Sequence, residues 1–213
     1  MALKVGILSQ KGGVGKSTLS RALAVEFARK DFDVKIADMD LKQKTSLEWN
    51  ALRLDREISP QIEVQSFGNV KDVLKQEDMY DLIIFDGVGQ ADSQTLEIAK
   101  ICDVIVLPSG LSRDDLLPQI RLANEMNKKG ISRSKIGISL SRAGRSNREI
   151  IDATEFIELS GFKYLGKIDE KTSITQAHDN GYAANETKYE TINNTVDSVI
   201  QGVADMIEAN VNA

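Results

Sequence analysis

Short apolar runs alternate with amphipathic stretches along the whole chain. Several of these runs are apolar at every position, which is typical of strands buried on both faces of a parallel sheet. The pattern predicts strands at Lys4–Ser9, Val34–Ala37, Ile62–Ser66, Leu82–Phe85, Val104–Leu107, Lys135–Leu140 and Tyr164–Ile168. It predicts helices at Lys16–Lys30, Thr45–Leu54, Val70–Gln76, Ser93–Ile101, Arg113–Lys129, Arg148–Ser160, Thr172–Asn180 and Tyr189–Asn210.

This alternation predicts an α/β fold with a doubly wound, mostly parallel sheet flanked by helices. Residues 1–213 suit one domain, because no linker-like stretch or internal repeat interrupts the pattern. Ligands of such sheets bind at the carboxyl ends of the strands. We therefore expect the functional site just after Ser9, Ala37 and Phe85.

Composition narrows the function classes. The formal net charge of -5 does not indicate a nucleic-acid binder, so any such contact would need a local basic patch. The single cysteine, Cys102, excludes an internal disulfide and a paired-cysteine metal site, which fits a reducing cytoplasm. The first residues enter a strand without a leader pattern, and no apolar run has the length of a membrane span. We expect a cytoplasmic protein without a signal peptide.

A glycine-rich loop links the first predicted strand to the first predicted helix. It reads Gly12-Gly13-Val14-Gly15-Lys16-Ser17-Thr18. The glycines let backbone N–H groups approach phosphate oxygens, and the helix N-terminus adds a positive dipole end. Lys16 would bind the β- and γ-phosphates, and the Ser17 hydroxyl would ligate Mg²⁺. The loop therefore predicts a site for a nucleotide with Mg²⁺.

Lys11, one position before these glycines, is not needed to hold phosphates within the same subunit. One interpretation is that it reaches the nucleotide of a second subunit, where charge develops during phosphoryl transfer. The other is that it is an ordinary solvated loop lysine.

The sequence KGGVGKST behind an N-terminal strand resembles the deviant Walker A family, which includes ParA partition ATPases, MinD and the nitrogenase iron protein. The resemblance implies a P-loop NTPase fold and ATP as the nucleotide. The extra lysine is the signature residue of that family and acts in trans. The resemblance therefore implies an ATP-dependent homodimer, in which Lys11 and Lys16 both contact nucleotide and are both catalytic.

Acidic residues follow two predicted strands. Asp38 and Asp40 end the second strand, and Asp86 ends an apolar strand in the usual form of a Walker B motif. Asp86 is expected to hold the Mg²⁺ shell through water. The resemblance assigns Asp40 to the attacking water and Asp38 to the nucleotide and metal shell, whereas acids that merely cap loops are the alternative. Leu41-Lys42-Gln43 replaces the family's usual Pro-Gln, in a loop one residue longer.

Two further residues are candidates through the resemblance. Leu107-Pro108-Ser109 resembles a segment that borders the nucleotide and the dimer interface, although Pro108 could equally end a strand. Arg142 follows a strand after which the family often places groups that contact adenine.

Basic residues gather in the C-terminal half. Arg142, Arg145, Arg148 and Lys171 are candidates for contacts to DNA phosphates, and a solvated charged surface is the alternative.

The resemblance favours a ParA-like ATPase in plasmid or chromosome partition. It implies a homodimer on nonspecific duplex DNA of the nucleoid, and a ParB-like or small centromere-binding partner that stimulates hydrolysis. Alternatives are a MinD-like membrane-associated regulator, a nucleoid-based positioning ATPase for another cargo, and a ligase of the dethiobiotin-synthetase type. The last predicted helix carries Asp197, Asp205 and Glu208 without any Lys or Arg, which argues against membrane binding.

Overall fold

The computed structural model describes residues 1–89, 93–144 and 146–211. Within these residues the strands are β1 (Leu3–Ile7), β2 (Val34–Asp38), β3 (Glu63–Ser66), β4 (Leu82–Asp86), β5 (Val104–Ser109), β6 (Ile136–Ala143) and β7 (Lys163–Asp169). The helices are α1 (Lys16–Ala28), α2 (Thr45–Asp55), α3 (Val70–Leu74), α4 (Ser93–Ile101), α5 (Arg113–Lys128), α6 (Asn147–Leu159), α7 (Thr172–His178) and α8 (Glu190–Val211).

The strands form one sheet in the order β3-β2-β4-β1-β5-β6-β7. Every strand pair is parallel. Each face of the sheet has its own apolar core. One core contains residues of α1, α2, α7 and α8, and the other contains residues of α3, α4, α5 and α6. The predicted α/β fold is confirmed, and the sheet is parallel throughout.

The predicted elements agree closely with the observed ones, and the largest difference among the strands is at the end of β6. Pro108 does not end β5, which continues to Ser109. Pairing of β5 with β1 extends only to Val106, whereas Pro108 is opposite Ser139 of β6. The N–H that proline lacks is therefore not needed for pairing with β1 at this position.

The sheet order brings the predicted site together. Strand β4 lies between β1 and β2, and Asp86 is the Cα partner of both Ile7 and Asp38. The loops after these three strands therefore meet at one edge of the sheet, where parallel α/β sheets bind their ligands. No helix in the described parts of the chain is long and apolar enough to cross a membrane.

Candidate nucleotide-binding site

The loop between β1 and α1 has two positions that only glycine fits well. Gly13 and Gly15 have φ values of 73° and 89°, in the left-handed region. A Cβ on Gly15 would lie 3.0 Å from Oγ of Ser141 in β6. Gly15 is also the N-cap of α1, so the loop leads directly into the helix N-terminus. This is the geometry expected of a phosphate-binding loop.

A cleft with a volume of about 240 Å³ opens beside this loop. Most residues predicted for nucleotide, metal or catalysis line it: Gly12, Gly13, Gly15, Lys16, Ser17, Thr18, Asp38, Asp40, Asp86 and Arg142. Among the described residues, five more line it as well: Arg21, Gln43, Thr45, Gly87 and Gly89. Three predicted residues, Lys11, Val14 and Pro108, do not line it. Val14 and Pro108 are buried, Pro108 within β5.

Lys11 is held against the start of α5 of its own subunit. Its Nζ donates to the carbonyl oxygen of Asp114 at 2.6 Å and to Oδ1 of Asp115 at 2.9 Å. The hydrogen bond from Lys11 is the main cause that lowers the pKa of Asp115, and one from Ser112 adds to it. In this arrangement the Lys11 ammonium is directed to α5 and away from the cleft beside its own loop.

Lys16 lies nearly buried at the base of the loop, with 8% of its surface exposed. Its Nζ donates to the carbonyl oxygen of Lys11 at 3.3 Å. Burial lowers the pKa of Lys16, while the negative charges of Asp86 and Asp40 oppose this shift. A partly dehydrated ammonium with few partners is well suited to bind an anionic phosphate.

Two buried carboxylates face the loop from neighbouring strands. Burial, followed by repulsion from Asp86, raises the pKa of Asp38 to about 6. Burial likewise raises the pKa of Asp86. Oδ1 of Asp86 is buried and has no hydrogen-bond partner within the described residues. Two carboxylates that repel one another, one with an unused oxygen, fit a site for a hydrated Mg²⁺ ion.

Ser46 connects these two carboxylates. Its backbone N–H donates to Oδ2 of Asp38 at 3.2 Å, and its hydroxyl donates to Oδ2 of Asp86 at 2.7 Å. Ser46 is itself fully buried near the start of α2. The position of α2 is therefore tied directly to the acidic pair.

Asp40 shapes the loop before α2. Its Oδ1 accepts the N–H groups of Lys42 at 3.1 Å and Gln43 at 3.0 Å, and its carbonyl oxygen accepts the N–H of Lys44. Within the described residues no side-chain donor is assigned to Asp40. Since Asp40 and Gln43 both line the cleft, the altered loop still presents a carboxylate there, together with an amide.

Arg21 of α1 holds the N-terminus of α2 against the loop. Its Nη2 donates to the carbonyl oxygen of Thr45 at 2.5 Å, and its Nε donates to Oγ of Ser46 at 3.3 Å. The guanidinium also lies 5.4 Å from the ring centroid of Trp49. Because Arg21 is on the same helix as Lys16 and Ser17, the phosphate loop and α2 are joined through a single side chain.

Arg53 anchors the other end of α2. Its guanidinium pairs with both carboxylate oxygens of Glu186, at 2.6 and 3.1 Å. The side chain of Arg53 is 0% exposed and that of Glu186 is 6% exposed. Arg53 also donates to the carbonyl oxygens of Pro60 at 2.9 Å and Gly181 at 3.2 Å. A second arginine, Arg29 of α1, donates to Oε1 of Glu186 at 3.1 Å.

Arg142 reaches over the phosphate loop from the end of β6. Its backbone φ is 52°, which is uncommon for a residue with a side chain. Its guanidinium nitrogens lie 3.8 and 3.9 Å from the position of a Cβ on Gly13. The structure thus brings Arg142 to the phosphate end of the cleft.

Two other residues predicted to contact DNA, Arg148 and Lys171, are outside the cleft. Arg148 is 92% exposed, and its ion pair with Asp152 spans 4.0 Å. Lys171 lies 3.8 Å from Asp169 and is half-buried. Arg145 lies outside the described residues.

Sequence reasoning missed Arg21, Thr45 and Ser46. The dipeptide Thr45-Ser46 begins a predicted helix soon after Asp38 and Asp40, which was an available signal for hydroxyl groups near the acidic pair. Arg21 carried no comparable signal, because a lone arginine on an amphipathic helix is usually solvated.

Comparisons with known proteins bear on the family and the fold. A family model described as the CobQ/CobB/MinD/ParA nucleotide binding domain matches residues 5–183. No curated protein matches the chain in sequence.

Solved structures share the fold over almost the whole chain. MinD of Pyrococcus horikoshii, in complex with Mg-ADP, is 17% identical with a TM-score of 0.74, and the match covers 99% of both chains. A variant of Cyanothece McdA in complex with ATP is 15% identical with a TM-score of 0.74, covering 95% of this chain and 96% of that chain. A ParA family ATPase from Chlorobium tepidum is 19% identical with a TM-score of 0.66, covering 94% of this chain and 99% of that chain.

Proposed function

The chain belongs to the CobQ/CobB/MinD/ParA nucleotide-binding domain family, and on this basis we propose that it is a ParA-like, Mg²⁺-dependent ATPase that acts as a switch in plasmid or chromosome partition. The observation that carries the proposal is the cleft itself. It joins a glycine loop, a nearly buried lysine and two buried carboxylates in one cavity. The negative charge of a nucleoside triphosphate would pair with Lys16 and the N–H groups of the loop, and the two carboxylates would hold the accompanying Mg²⁺.

The residues of the cleft have separate roles in hydrolysis. The N–H groups of the loop and the N-terminus of α1 bind the phosphates, and Lys16 supplies a positive charge to the transferred group. Ser17, Asp38 and Asp86 hold Mg²⁺, which when bound neutralises phosphate charge. Asp40 orients and activates the attacking water, since it lines the cleft and its Oδ2 accepts no backbone N–H group of the described residues.

Lys11 completes the site of a second subunit in this proposal. It is exposed enough to be displaced, with 38% of its side chain accessible. When ATP joins two subunits face to face, Lys11 leaves Asp115 and contacts the nucleotide of the partner. The switch then has an inactive form, with Lys11 on its own α5, and an active dimeric form.

The dimer binds duplex DNA without sequence preference, through basic residues that include Arg148 and Lys171. The exposure of Arg148 and its weak ion pair support this role, because an exposed pair at such a distance leaves the charge free for a phosphate. Arg142 and Arg145 were also predicted as DNA contacts, but the position of Arg142 over the phosphate loop favours a nucleotide role. A ParB-like or small centromere-binding protein would stimulate hydrolysis and release the dimer from the nucleoid.

The packing of α8 argues against the MinD-like alternative. Its apolar stripe, including Val196, Val199 and Val203, is buried in the core. Its solvent side carries acidic residues, which anionic lipid would repel.

The test measures oligomeric state by light scattering and DNA binding by mobility shift, with ADP and with ATP. Wild type, Lys11→Ala and Lys75→Ala are compared, because Lys75 is an exposed lysine on another surface and serves as control. We expect ATP to produce a DNA-binding dimer in wild type and Lys75→Ala but not in Lys11→Ala.

Three other results would redirect the proposal. Dimerisation without DNA binding at low salt would exclude the nucleoid, and liposome sedimentation would then test the membrane alternative. Steady turnover that needs a small acid and survives Lys11→Ala would indicate a ligase. DNA binding that is insensitive to a centromere-binding partner would favour positioning of another cargo.

A further inference from the structure

The cleft contains a pair of hydroxyl groups, and the proposed mechanism uses only one of them, that of Ser17. Oγ of Ser17, in the first turn of α1, lies 3.1 Å from Oγ1 of Thr45, the first residue of α2. The two residues are 28 positions apart in the chain, and both line the cavity.

The spacing of these oxygens matches the coordination geometry of magnesium. Mg²⁺ binds six oxygen ligands octahedrally at about 2.0–2.1 Å, so neighbouring ligands are about 3.0 Å apart. The observed distance of 3.1 Å is close to this octahedral edge. One cation could therefore contact both hydroxyls without movement of either helix.

Thr45 is also fixed in place more firmly than the loop before it. Residues 41–44 are exposed, whereas Thr45 is partly buried and Ser46 fully buried. Arg21 holds the carbonyl oxygen of Thr45, and Ser46 is bonded to both carboxylates of the acidic pair. A hydroxyl held in this way is preorganised for a ligand rather than free to turn into solvent.

The surroundings suit the hydration shell of the ion. Oδ1 of Asp86, which has no partner in the parts of the chain that the structure describes, is an acceptor for a water bound to Mg²⁺, and Ser46 places Thr45 beside this carboxylate. Magnesium usually retains several waters and takes its remaining ligands from a few protein oxygens and the nucleotide phosphates.

We propose that Thr45 is a second hydroxyl ligand, beside Ser17, of the Mg²⁺ ion that accompanies the bound nucleotide. This proposal rests on the proposed function and goes beyond it, because it makes α2 part of the metal site. Loss of the ion with the nucleotide then removes a direct link between α1 and α2. The N-terminus of α2 therefore reports whether a metal–nucleotide complex is bound.

The test measures Mn²⁺ affinity by electron paramagnetic resonance in the presence of saturating ADP, and ADP affinity in EDTA by calorimetry. The variants are Thr45→Val, which keeps the shape and removes the hydroxyl, and Thr45→Ser, which keeps the hydroxyl. Thr191→Val, an exposed threonine of α8, is the matched control. We expect Thr45→Val to weaken Mn²⁺ binding about tenfold or more. Thr45→Ser and Thr191→Val should remain within about twofold of wild type, and ADP affinity in EDTA should be equal in all four proteins.

The contrary result is equally clear. If Thr45→Val binds Mn²⁺ within about twofold of wild type, the two hydroxyls only bond to each other and the proposal is wrong, while the nucleotide site stands. If wild type binds no ADP, both the proposal and the proposed function fail. Thr45→Ala gives the same comparison if Thr45→Val does not fold, as judged by circular dichroism.

Discussion

The anchor between Arg53 and Glu186 allows a quantitative test of how α2 is held. The change is Arg53→Ala, which removes a guanidinium with 0% exposure. The carboxylate of Glu186, which is only 6% exposed, then loses this partner. Removing one partner of a buried pair costs about 3–5 kcal/mol. Arg29 and the N–H of Ala183 still donate to Glu186, so we expect the lower end, about 3 kcal/mol.

The free energy of unfolding is measured by urea denaturation, followed by circular dichroism, without nucleotide. For a slope of about 2–3 kcal/mol per molar urea, a loss of about 3 kcal/mol lowers the midpoint by about 1–1.5 M. Arg56→Ala is the matched control, because Arg56 follows the same helix and its contacts with Asn180 are exposed. Its expected cost is at most about 0.5 kcal/mol.

A second variant separates loss of the charge pair from loss of packing. Arg53→Met with Glu186→Leu removes both charges and keeps apolar volume, so it should recover part of the loss. If Arg53→Ala were no less stable than Arg56→Ala, the guanidinium would not anchor α2, and this account of the helix would be refuted.

Other predictions follow from single contacts. Asp115→Asn releases Lys11 from an exposed ion pair whose expected strength is up to about 1 kcal/mol. Light scattering should therefore show that this variant dimerises at an ATP concentration up to about fivefold lower than wild type. Dimerisation at the same concentration as wild type would contradict the prediction. Because the pKa of Asp38 is raised to about 6 from its ordinary 3.8, protonation favours the folded state. Its stabilising contribution is therefore present below about pH 4 and lost as the pH rises through 6. Urea denaturation of the nucleotide-free protein at pH 4.5 and at pH 7 should detect this loss. The free energy of unfolding of Asp38→Asn should depend less on pH than that of wild type. Burial raises the pKa of the Cys102 thiol, so a thiol reagent at pH 8 should react only after urea is added; rapid reaction of the native protein would show that this part of the core opens.

The fold was predictable because its strands are buried on both faces. Runs such as Leu82–Phe85 have no polar face, so a strand covered by helices is the arrangement that buries them. The parallel sheet then brings the loops after β1, β2 and β4 to one edge. Glycines, Lys16 and Asp86 could be located for the same reason, since their roles depend on strand ends and loop chemistry.

Contacts between distant side chains were not predictable in this way. The pairing of Lys11 with Asp115 depends on the position of α5. The approach of Thr45 to Ser17 depends on the hydrogen bond from Arg21 to the start of α2. Neither contact produces a recognisable pattern in the sequence around its residues. The strand predicted at Val104–Leu107 stopped short of Pro108, because whether a strand tolerates proline depends on where its neighbouring strand stops pairing.

The packing of Trp49 gives the protein a spectroscopic reporter. It is the only tryptophan in the sequence and is 2% exposed. The guanidinium carbons of Arg21 and Arg53 lie 5.4 and 5.5 Å from centroids of its ring system, and its Nε1 donates to the carbonyl oxygen of Tyr182. Indole emission responds to nearby charge. Arg53 belongs to α2, and Arg21 of α1 is hydrogen-bonded to the start of α2 beside the nucleotide cleft. Stopped-flow mixing of unlabelled protein with nucleotide would therefore follow the movement of α2 in real time, with no dye attached.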